Sequence, residues 1–350
     1  MFKILDRTPV DSQNDKRQQQ ALNEISPLIQ AIRFSTHTHP SFEMAYDAIL
    51  DTFENYGIEP SGCCMFGPPG SGKSRLLRYF LCDIYSQPKF QPTDTITPIP
   101  VICVPVPGRA TIPKLCDQIL TLTQGVYTPV AKTGVSPEYR VDRMLEALDI
   151  RMIIFDEFQH LLREEATIST AAVLAFIKLL MDKHGLTVVL SGKPNAQKLL
   201  DDHPELQQRV SYANANLQHF HVRNNGPGNM EEFGSYLMSI VLTFNEHGVS
   251  FIPSIDEDFV KRIHIATSGI PRYISTLFTR VARLAANEKR VTQETLQKAY
   301  DSVGFNKSRD FKLFTATESE VSKYVKRMAY QKKREEEMKT KHKRGSRQGS

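Results

Sequence analysis

Five short apolar runs, each four or five residues long, recur along the first two thirds of the chain. Segments with the amphipathic spacing of helices separate them. Runs without a polar face are typical of strands buried on both sides, so the pattern predicts a parallel sheet covered by helices on both faces. The runs are Cys63–Phe66, Val101–Val104, Met152–Phe155, Leu186–Leu190 and Leu217–His221, and the predicted helices begin at about residue 41 and span 73–86, 113–124, 138–148, 170–183 and 196–208.

The pattern changes after residues 224–228, which read Asn-Asn-Gly-Pro-Gly and predict a linker. Beyond this linker the spacing predicts helices and no strand. The expected fold is therefore α/β, with a five-stranded parallel sheet sandwiched by helices and then a small all-helical domain. The predicted helices of that second domain lie at 231–246, 256–267, 271–287 and 292–303.

Charge is unevenly distributed along the chain. The 350 residues carry a net charge of +5, but residues 321–350 hold eleven Lys or Arg and three Glu, a net of +8 that leaves −3 for the first 320. A segment of this kind is often only solvated, and it can also contact nucleic acid or an acidic partner. The apolar patch at residues 311–314 just before it is expected to anchor on a partner surface.

The cysteine pattern favours a cytoplasmic environment. The five cysteines form no Cys-x-x-Cys pair and most lie in apolar surroundings, which favours buried thiols over disulfides or metal ligands. We find no apolar run near the roughly 18 residues of a membrane span and no secretory leader at the start.

Residues 67–74 read Gly-Pro-Pro-Gly-Ser-Gly-Lys-Ser, a complete Walker A loop between the first predicted strand and the next helix. Glycines let backbone N–H groups surround phosphate oxygens, and the helix start adds partial positive charge. In this pattern Lys73 reaches the β- and γ-phosphates and the Ser74 hydroxyl binds Mg²⁺. The predicted cofactors are ATP and Mg²⁺, and the predicted nucleotide-binding residues are Gly67, Pro68, Pro69, Gly70, Ser71, Gly72, Lys73, Ser74 and Arg75.

The third apolar run ends in two acids, Asp156 and Glu157, which is the Walker B pattern. Asp156 is expected to hold the Mg²⁺ shell, and Glu157 is expected to polarise the water that attacks the γ-phosphate. The same pair could instead begin a helix as an N-cap. Its place 83 residues after Lys73, in an alternating αβ pattern, favours catalysis, and the glutamate predicts hydrolysis rather than binding alone.

The layout resembles that of the AAA+ ATPases in three further positions. Arg209 precedes the fifth apolar run, Ser191 follows the fourth, and Arg272 ends a Gly-Ile-Pro-Arg segment in the second domain. The resemblance implies that Arg209 acts in trans on a neighbouring subunit's γ-phosphate and that Arg272 is sensor 2, acting in cis. It implies that Ser191 is sensor 1, with Asn195 as the alternative. Positive charge beside a transferring phosphoryl group is the physical reason for both arginines.

Residues 156–210 restrict the resemblance to one family among the AAA+ ATPases. They contain Asp-Glu-Phe-Gln-His-Leu-Leu, then Leu-Ser-Gly-Lys-Pro-Asn, then Pro-Glu-Leu-Gln-Gln-Arg. This combination is typical of the TniB and TnsC family of AAA+ regulators of DNA transposition, and the resemblance covers about residues 31–305. It implies a nucleotide-binding core at 31–224 and a helical lid at 225–304. Outside the resemblance, polar composition predicts an N-terminal arm at 1–30, and positive charge predicts a basic flexible tail at 305–350.

The family resemblance implies a bacterial, cytoplasmic ATPase that assembles as a ring or helical filament on double-stranded DNA and recruits a transposase. Hydrolysis would disassemble the polymer, and a selector protein or an RNA-guided complex, as in CRISPR-associated transposons, would choose the target. The segment at residues 34–40 is expected to lie near adenine. The implied DNA contacts, for which ordinary surface positions are the alternative, are Arg109, Lys114, Lys132 and Thr133.

Two other classes of function stay open at this point. An origin-recognition or helicase-loader ATPase shares the Gly-x-Pro-Arg lid, but it usually adds a winged-helix domain, for which residues 305–350 are too short and too charged. A signalling switch of the AAA-like class would bind nucleotide without nucleic acid. Glu157 and Arg209 weigh against such a passive switch.

Overall fold

The computed structural model describes residues 26–93, 98–123, 134–162, 167–305, 311–328 and 330. Two hydrophobic clusters organise them, one around a parallel sheet and one around the C-terminal helices. No helix in these ranges combines the length and the apolar character that crossing a bilayer requires.

The first cluster surrounds a five-stranded parallel sheet with the strand order β2-β3-β4-β1-β5. Strand β4 lies at its centre and every residue of it is buried, with Val189 paired to Cys63 of β1 and to Ile154 of β3. Because all strands run in one direction, the carboxyl ends of β1, β3 and β4 meet at one edge of the sheet. The strands are β1 Gly62–Phe66, β2 Val101–Pro105, β3 Met152–Asp156, β4 Thr187–Gly192 and β5 Ala213–Asn214.

Eight helices precede or surround the sheet in the described ranges. Several of them begin at a proline, whose fixed φ and missing N–H suit the first helical position. Short 3₁₀ turns lie at Pro88–Phe90, Phe158–Leu161 and Pro194–Ala196. The helices are α1 Pro27–Phe34, α2 Pro40–Glu54, α3 Lys73–Ser86, α4 Ile112–Leu122, α5 Pro137–Ala147, α6 Thr167–His184, α7 Gln197–Asp201 and α8 Pro204–Arg209.

The C-terminal part is helical, as predicted, and three of its helix starts are capped by side chains. Asn229, Asp256 and Thr292 each accept a hydrogen bond from a backbone N–H of the first turn. The helices are α9 Met230–Glu246, α10 Glu257–Thr267, α11 Pro271–Ala285 and α12 Gln293–Asp301. Two short strands lie between these helices and pair with each other in parallel, β6 Ser250–Phe251 and β7 Arg290–Val291. Two-residue strands have no periodicity, so the sequence did not predict them.

The fifth strand lies earlier than predicted. The strand residues paired with β1 are Ala213 and Asn214, and of the predicted run at 217–221 Leu217 bonds to β1, through its N–H to the Phe66 carbonyl oxygen at 3.2 Å. The apolar side chains of that run serve two different cores, because Leu217 packs in the first cluster and Phe220 in the second. The chain therefore passes from the first hydrophobic cluster to the second within this run.

The helix predicted at 196–208 is two helices, α7 and α8. Pro204 begins the second of them. A proline in the middle of a helix lacks the N–H that the ladder requires and its ring collides with the preceding turn, so the helix ends before it.

Both ends of the described chain pack on the helical domain. Ile32 of α1, in what was expected to begin the nucleotide-binding core, is buried in the second cluster. Residues 311–328, expected to belong to a flexible tail, also pack there, with Leu313 and Phe314 buried. Arg262 holds this segment, since its buried guanidinium donates to the carbonyl oxygens of Leu313 at 2.5 Å and Ala316 at 2.9 Å. The apolar patch at 311–314 therefore docks on its own chain, and the basic segment 331–350 lies outside the described residues.

Deleting residues 306–350 is predicted to destabilise the protein. The deletion removes the buried side chains of Leu313, Phe314 and Val321, each worth about 1.5–3 kcal/mol, so the free energy of unfolding should fall by about 4 kcal/mol or more. Deleting only 331–350 removes none of these three side chains and should lower the free energy of unfolding less, so it serves as the control. Urea unfolding measures both, and equal midpoints for the two deletions would contradict the docking.

Candidate nucleotide site

The loop at residues 67–74 joins β1 to α3 and closes around its own lysine. The Lys73 ammonium donates to the carbonyl oxygens of Gly67 at 2.6 Å and Pro68 at 3.1 Å. Gly70 and Gly72 have φ of +81° and +104°, a region that residues with a Cβ rarely adopt. Glycines in such conformations let a loop turn its backbone N–H groups toward a phosphate, and Lys73 adds an ammonium to the same loop.

Burial lowers the pKa of Lys73, and the carboxylates of Asp156 and Glu157 act in the opposite direction. The two acids thus support the charged form of the lysine, and they lie at the carboxyl end of β3, across β4 from the loop. Lys73 and the two acids lie near one another because the parallel strands all end at the same edge of the sheet.

Asp156 and Glu157 are held by different neighbours. The Ser191 hydroxyl at the end of β4 donates to Asp156 Oδ1 at 2.7 Å. Glu157 has a φ of +55°, a left-handed conformation that is rare outside glycine and is found at functional sites. The Gln159 side chain donates to the Glu157 carboxylate and accepts from the Lys193 backbone N–H at 2.9 Å. Gln159 therefore fixes the predicted catalytic glutamate to the end of β4.

A cavity of about 840 Å³ lies between the phosphate-binding loop and the face of α11. Eight Lys and Arg side chains and two acids line it, so the surplus of positive charge suits a triphosphate. The positive residues are Arg33, Lys73, Arg75, Arg78, Lys193, Arg272, Arg280 and Arg283, and the acids are Asp156 and Glu157.

The segment expected near adenine lines the same cavity with Phe34, His37 and His39. Burial, helped by the charge of Arg75, lowers the pKa of His37 to about 4, so its ring is neutral at pH 7. Within the described residues, His37 Nε2 and Ser71 Oγ are buried polar atoms without a hydrogen-bond partner. Buried polar atoms are normally paired, so these two fit a ligand that bonds to them from the cavity.

The residues also fit the predicted Mg²⁺. Ser74 and Asp156 line the cavity together. Magnesium is usually held by one or two carboxylates together with nucleotide phosphates and water, so a hydroxyl and one carboxylate suffice beside a triphosphate. No group of three or more His, Cys, Asp or Glu that could hold a metal occurs in the part of the chain that the structure describes.

The remaining predicted loop residues divide into two sets. Gly67 and Pro68 lie behind the cavity and contribute carbonyl groups to Lys73, whereas Pro69 to Arg75 line it. The Arg75 guanidinium, predicted to bind nucleotide, also donates to the backbone carbonyls of Arg33 and Phe34, both at 2.5 Å. Arg75 therefore secures the end of α1 beside the cavity in addition to lining it.

The predicted sensors differ in their access to the cavity. Arg272 lines it, and its backbone N–H lies 3.4 Å from the Gly70 carbonyl oxygen. Ser191 is fully buried behind Asp156, and Asn195 is exposed outside the cavity lining. Lys193, between them, is the residue of this strand end that brings a charge into the cavity.

The other predicted residues lie away from the cavity. Arg209 is paired with Asp182 at 3.0 Å. Arg109 and Lys114 are exposed, in the loop after β2 and in the first turn of α4. Lys132 and Thr133 lie outside the described residues.

Sequence reasoning missed Gln159, Lys193 and four of the arginines in the cavity. Arg280 and Arg283 had a signal, because they follow Arg272 by eight and eleven residues and so share one face of a helix. Arg33 and Arg78 come from α1 and α3, and only tertiary packing brings those helices to the same cavity.

Comparison with known proteins identifies the family. The family model described as bacterial TniB protein matches residues 45–220, half of the chain. The chain belongs to the TniB family. TniB is a TnsC-like AAA+ transposition protein, so this TniB-family chain is an AAA+ ATPase. No curated protein sequence matches it.

Solved structures share the fold of this TniB-family protein. It is similar to Aeropyrum pernix ORC2 in ADPNP-ADP complexes, with a TM-score of 0.54 and 10% identity over 81% of this chain and 72% of that chain. It is similar to Aeropyrum pernix ORC1 in complex with DNA (TM-score 0.50, 15% identity, 77% and 68%) and to Pyrobaculum aerophilum Cdc6p (0.50, 17%, 77% and 70%). At such identities the likeness establishes the AAA+ fold alone.

Replacing Gln159 with Leu is predicted to lower ATP turnover about tenfold while nucleotide affinity stays within about twofold, because the change releases Glu157 without touching the phosphate loop. Steady-state ATPase assays and titration with a fluorescent ATP analogue measure the two effects. Gln293→Leu, at an exposed position in the first turn of α12, is the matched control. Unchanged turnover in the Gln159→Leu variant would show that Gln159 does not position Glu157.

Proposed function

We propose that this TniB-family ATPase assembles on double-stranded DNA when ATP is bound and recruits a transposase to a selected target. The observation that carries the proposal is the cavity in which Lys73, Asp156 and Glu157 converge beside Arg272 of the helical domain. Because both parts of the chain contribute to one site, a bound nucleotide contacts the lid and the core together and holds them in one arrangement. Hydrolysis then weakens these contacts and drives disassembly.

Several residues of the cavity have separate parts in the proposed hydrolysis. Lys73 and the loop amides neutralise the β- and γ-phosphates. Ser74 and Asp156 would hold Mg²⁺, which would supply further positive charge beside the phosphates. Glu157, held by Gln159, orients the attacking water and accepts its proton. Arg272 stabilises phosphate charge from the lid of the same subunit.

Arg209 is proposed to act on the nucleotide of a neighbouring subunit. It does not line its own nucleotide cavity, and both it and its partner Asp182 have side chains more than a third exposed. A guanidinium held at the surface by one carboxylate is free to exchange that partner for a phosphate of another copy. Hydrolysis then depends on assembly.

The proposed DNA contacts are Arg109, Lys114, Lys132 and Thr133, of which the first two are exposed. Contacts to backbone phosphates carry little sequence preference, and assembly multiplies a few contacts per subunit through avidity. The family of the chain supports a transposase as the recruited partner, with a selector protein or an RNA-guided complex choosing the target. Among the alternatives, the likeness to origin-recognition proteins supports only a shared fold.

Glu157→Gln is predicted to keep ATP binding, to reduce turnover about 100-fold or more, and to stabilise the DNA-bound assembly. Electron microscopy with duplex DNA should show rings or filaments for this variant with ATP and for the unchanged protein with a slowly hydrolysed analogue. Only monomers on DNA at saturating nucleotide would contradict the assembly. Normal turnover by the variant would contradict the role of Glu157.

Arg209→Ala is predicted to abolish assembly-stimulated hydrolysis, a loss of about 1,000-fold, while an isolated subunit still binds nucleotide. ATPase rates measured across a range of protein concentrations report assembly-stimulated hydrolysis. Titration of the monomer with an ATP analogue reports nucleotide binding by the isolated subunit. Arg143→Ala, which removes another exposed arginine–carboxylate pair, is the control. Loss of nucleotide binding by the Arg209 variant monomer would mean that Arg209 acts in cis.

A further inference from the structure

The side chain of Glu232, in the lid, reaches a helix of the core. It is 13% exposed, and it accepts a hydrogen bond from the Ser41 hydroxyl in the first turn of α2, with oxygen–oxygen distances of 2.7 and 2.9 Å. Glu232 itself lies in the first turn of α9, and the Gly228 N–H just before that helix donates to the same carboxylate at 3.1 Å. One carboxylate therefore joins the start of a core helix to the start of a lid helix.

This bonding differs from an ordinary helix cap. A glutamate at the third position of a helix commonly bonds to the backbone N–H of the capping residue. Here Asn229 caps α9 and accepts from the Glu232 N–H at 3.0 Å, but the Glu232 carboxylate bonds to Gly228 and across to Ser41. Burying a carboxylate is costly unless its oxygens are hydrogen-bonded, so these bonds fix α9 relative to α2.

The ring of His39 packs against the same carboxylate. Its Nδ1 lies 3.4 Å from Glu232, and the rings of Phe220 and Tyr236 contact it edge-on at centroid distances of 4.8 and 5.8 Å. Burial lowers the pKa of His39, and Glu232 acts in the opposite direction. The ring is therefore neutral at pH 7, so uncharged donors hold the Glu232 carboxylate in place.

A short series of contacts links Glu232 to the cavity arginine of the lid. The next residue, Phe233, stacks on Phe220 at a centroid distance of 4.9 Å and an interplanar angle of 7°. The Phe220 N–H donates to the Gly269 carbonyl at 2.9 Å, three residues before Arg272. A Cβ at Gly269, whose φ is +66°, would come within 1.9 Å of the Phe220 carbonyl oxygen. The two backbones are thus in direct contact, and the start of α11 follows the position of Phe220.

We propose that Glu232 is a positioning residue for Arg272. The bond from Ser41 fixes the start of α9 on the core, and the contacts through Phe220 fix the start of α11, which sets Arg272 beside the phosphate-binding loop. Arg272 lines the nucleotide cavity and Glu232 does not, so Glu232 acts on the nucleotide through Arg272. The inference rests on the cis role of Arg272 in the proposed function and identifies the core and lid residues on which that role depends.

Ser41→Ala tests this junction with a small change. Loss of the hydroxyl should weaken binding of a fluorescent ATP analogue to the isolated subunit by about tenfold, because the Arg272 guanidinium is then less well placed on the phosphates. Thr243→Val, which removes a buried hydroxyl bond of 3.0 Å to the Ser239 carbonyl within α9, is the matched control and should leave that affinity unchanged. Urea unfolding checks that each variant folds.

Two substitutions of Glu232 separate its hydrogen bonds from its charge. Glu232→Gln keeps an oxygen that accepts from Ser41, and its amide can face the neutral His39 ring, so this variant should bind the analogue nearly as tightly as the unchanged protein. Glu232→Leu keeps the bulk but accepts no hydrogen bond, so it should lose at least as much affinity as Ser41→Ala. Equal losses for the two variants would mean that the charge and not the bond matters, and the inference would be wrong.

A double-mutant cycle tests whether the effect passes through the arginine. Arg272→Ala alone should weaken analogue binding by about tenfold or more, and adding Ser41→Ala should cause no further loss, because the group that Ser41 helps to place is already absent. Losses that multiply would show that Ser41 and Glu232 act on the site without Arg272. That result would overturn the inference, and so would normal binding by Ser41→Ala.

These measurements are made on the isolated subunit, so they are independent of assembly on DNA. If the cycle shows coupling but the unchanged protein forms only monomers on DNA at saturating nucleotide, the inference stands and the proposed assembly is wrong. If the protein assembles but the cycle shows no coupling, the inference is wrong and the proposed assembly stands. If Arg272→Ala binds the analogue normally, both the cis role of Arg272 and the inference are wrong.

Discussion

The phosphate-binding loop packs so tightly against other segments that its glycines decide where those segments lie. A Cβ at Gly67 would come within 2.4 Å of the Leu217 carbonyl oxygen, and a Cβ at Gly70 within 2.8 Å of Ile270 in the lid. The Gly67 N–H also donates to the Gly192 carbonyl at 3.0 Å. One loop thus contacts the end of β4, the segment after β5 and the helical domain. Because packed backbone tolerates no overlap, the position of each is tied to the others.

The arrangement of the site follows from that constraint. The end of β4 lies between the loop and the acids of β3, and its hydroxyl at Ser191 and its backbone at Lys193 hold Asp156 and Gln159 in place. Direct hydrogen bonds also link the lid to the core, among them the Ser41 hydroxyl donating to the Glu232 carboxylate at 2.7 Å and the Phe220 N–H donating to the Gly269 carbonyl at 2.9 Å. A ligand that spans both sides of the cavity would add to these links.

The nucleotide cavity and Arg209 lie at separate places in the molecule. The cavity contains the groups proposed to bind and cleave a nucleotide, and Arg209, paired with Asp182, does not line this cavity. Many proteins share the AAA+ fold, so the fold does not decide between loading a helicase, switching a signal and regulating transposition. The family match narrows the choice, and the separation of Arg209 from its own cavity supports a function that requires at least two copies.

The sequence by itself determined the fold class, the family and the motifs, because each depends on residues that are neighbours along the chain. Strands β1 to β4 and the loop between β1 and α3 have local signals of this kind, in hydrophobic period and in glycine spacing. Tertiary structure alone decided where β5 pairs, that residues 311–328 dock on the helical domain, and that arginines of α1, α3 and α11 share one cavity. These features depend on contacts between residues far apart in the chain. Period and spacing do not encode such contacts, and close packing of the two hydrophobic clusters fixes them.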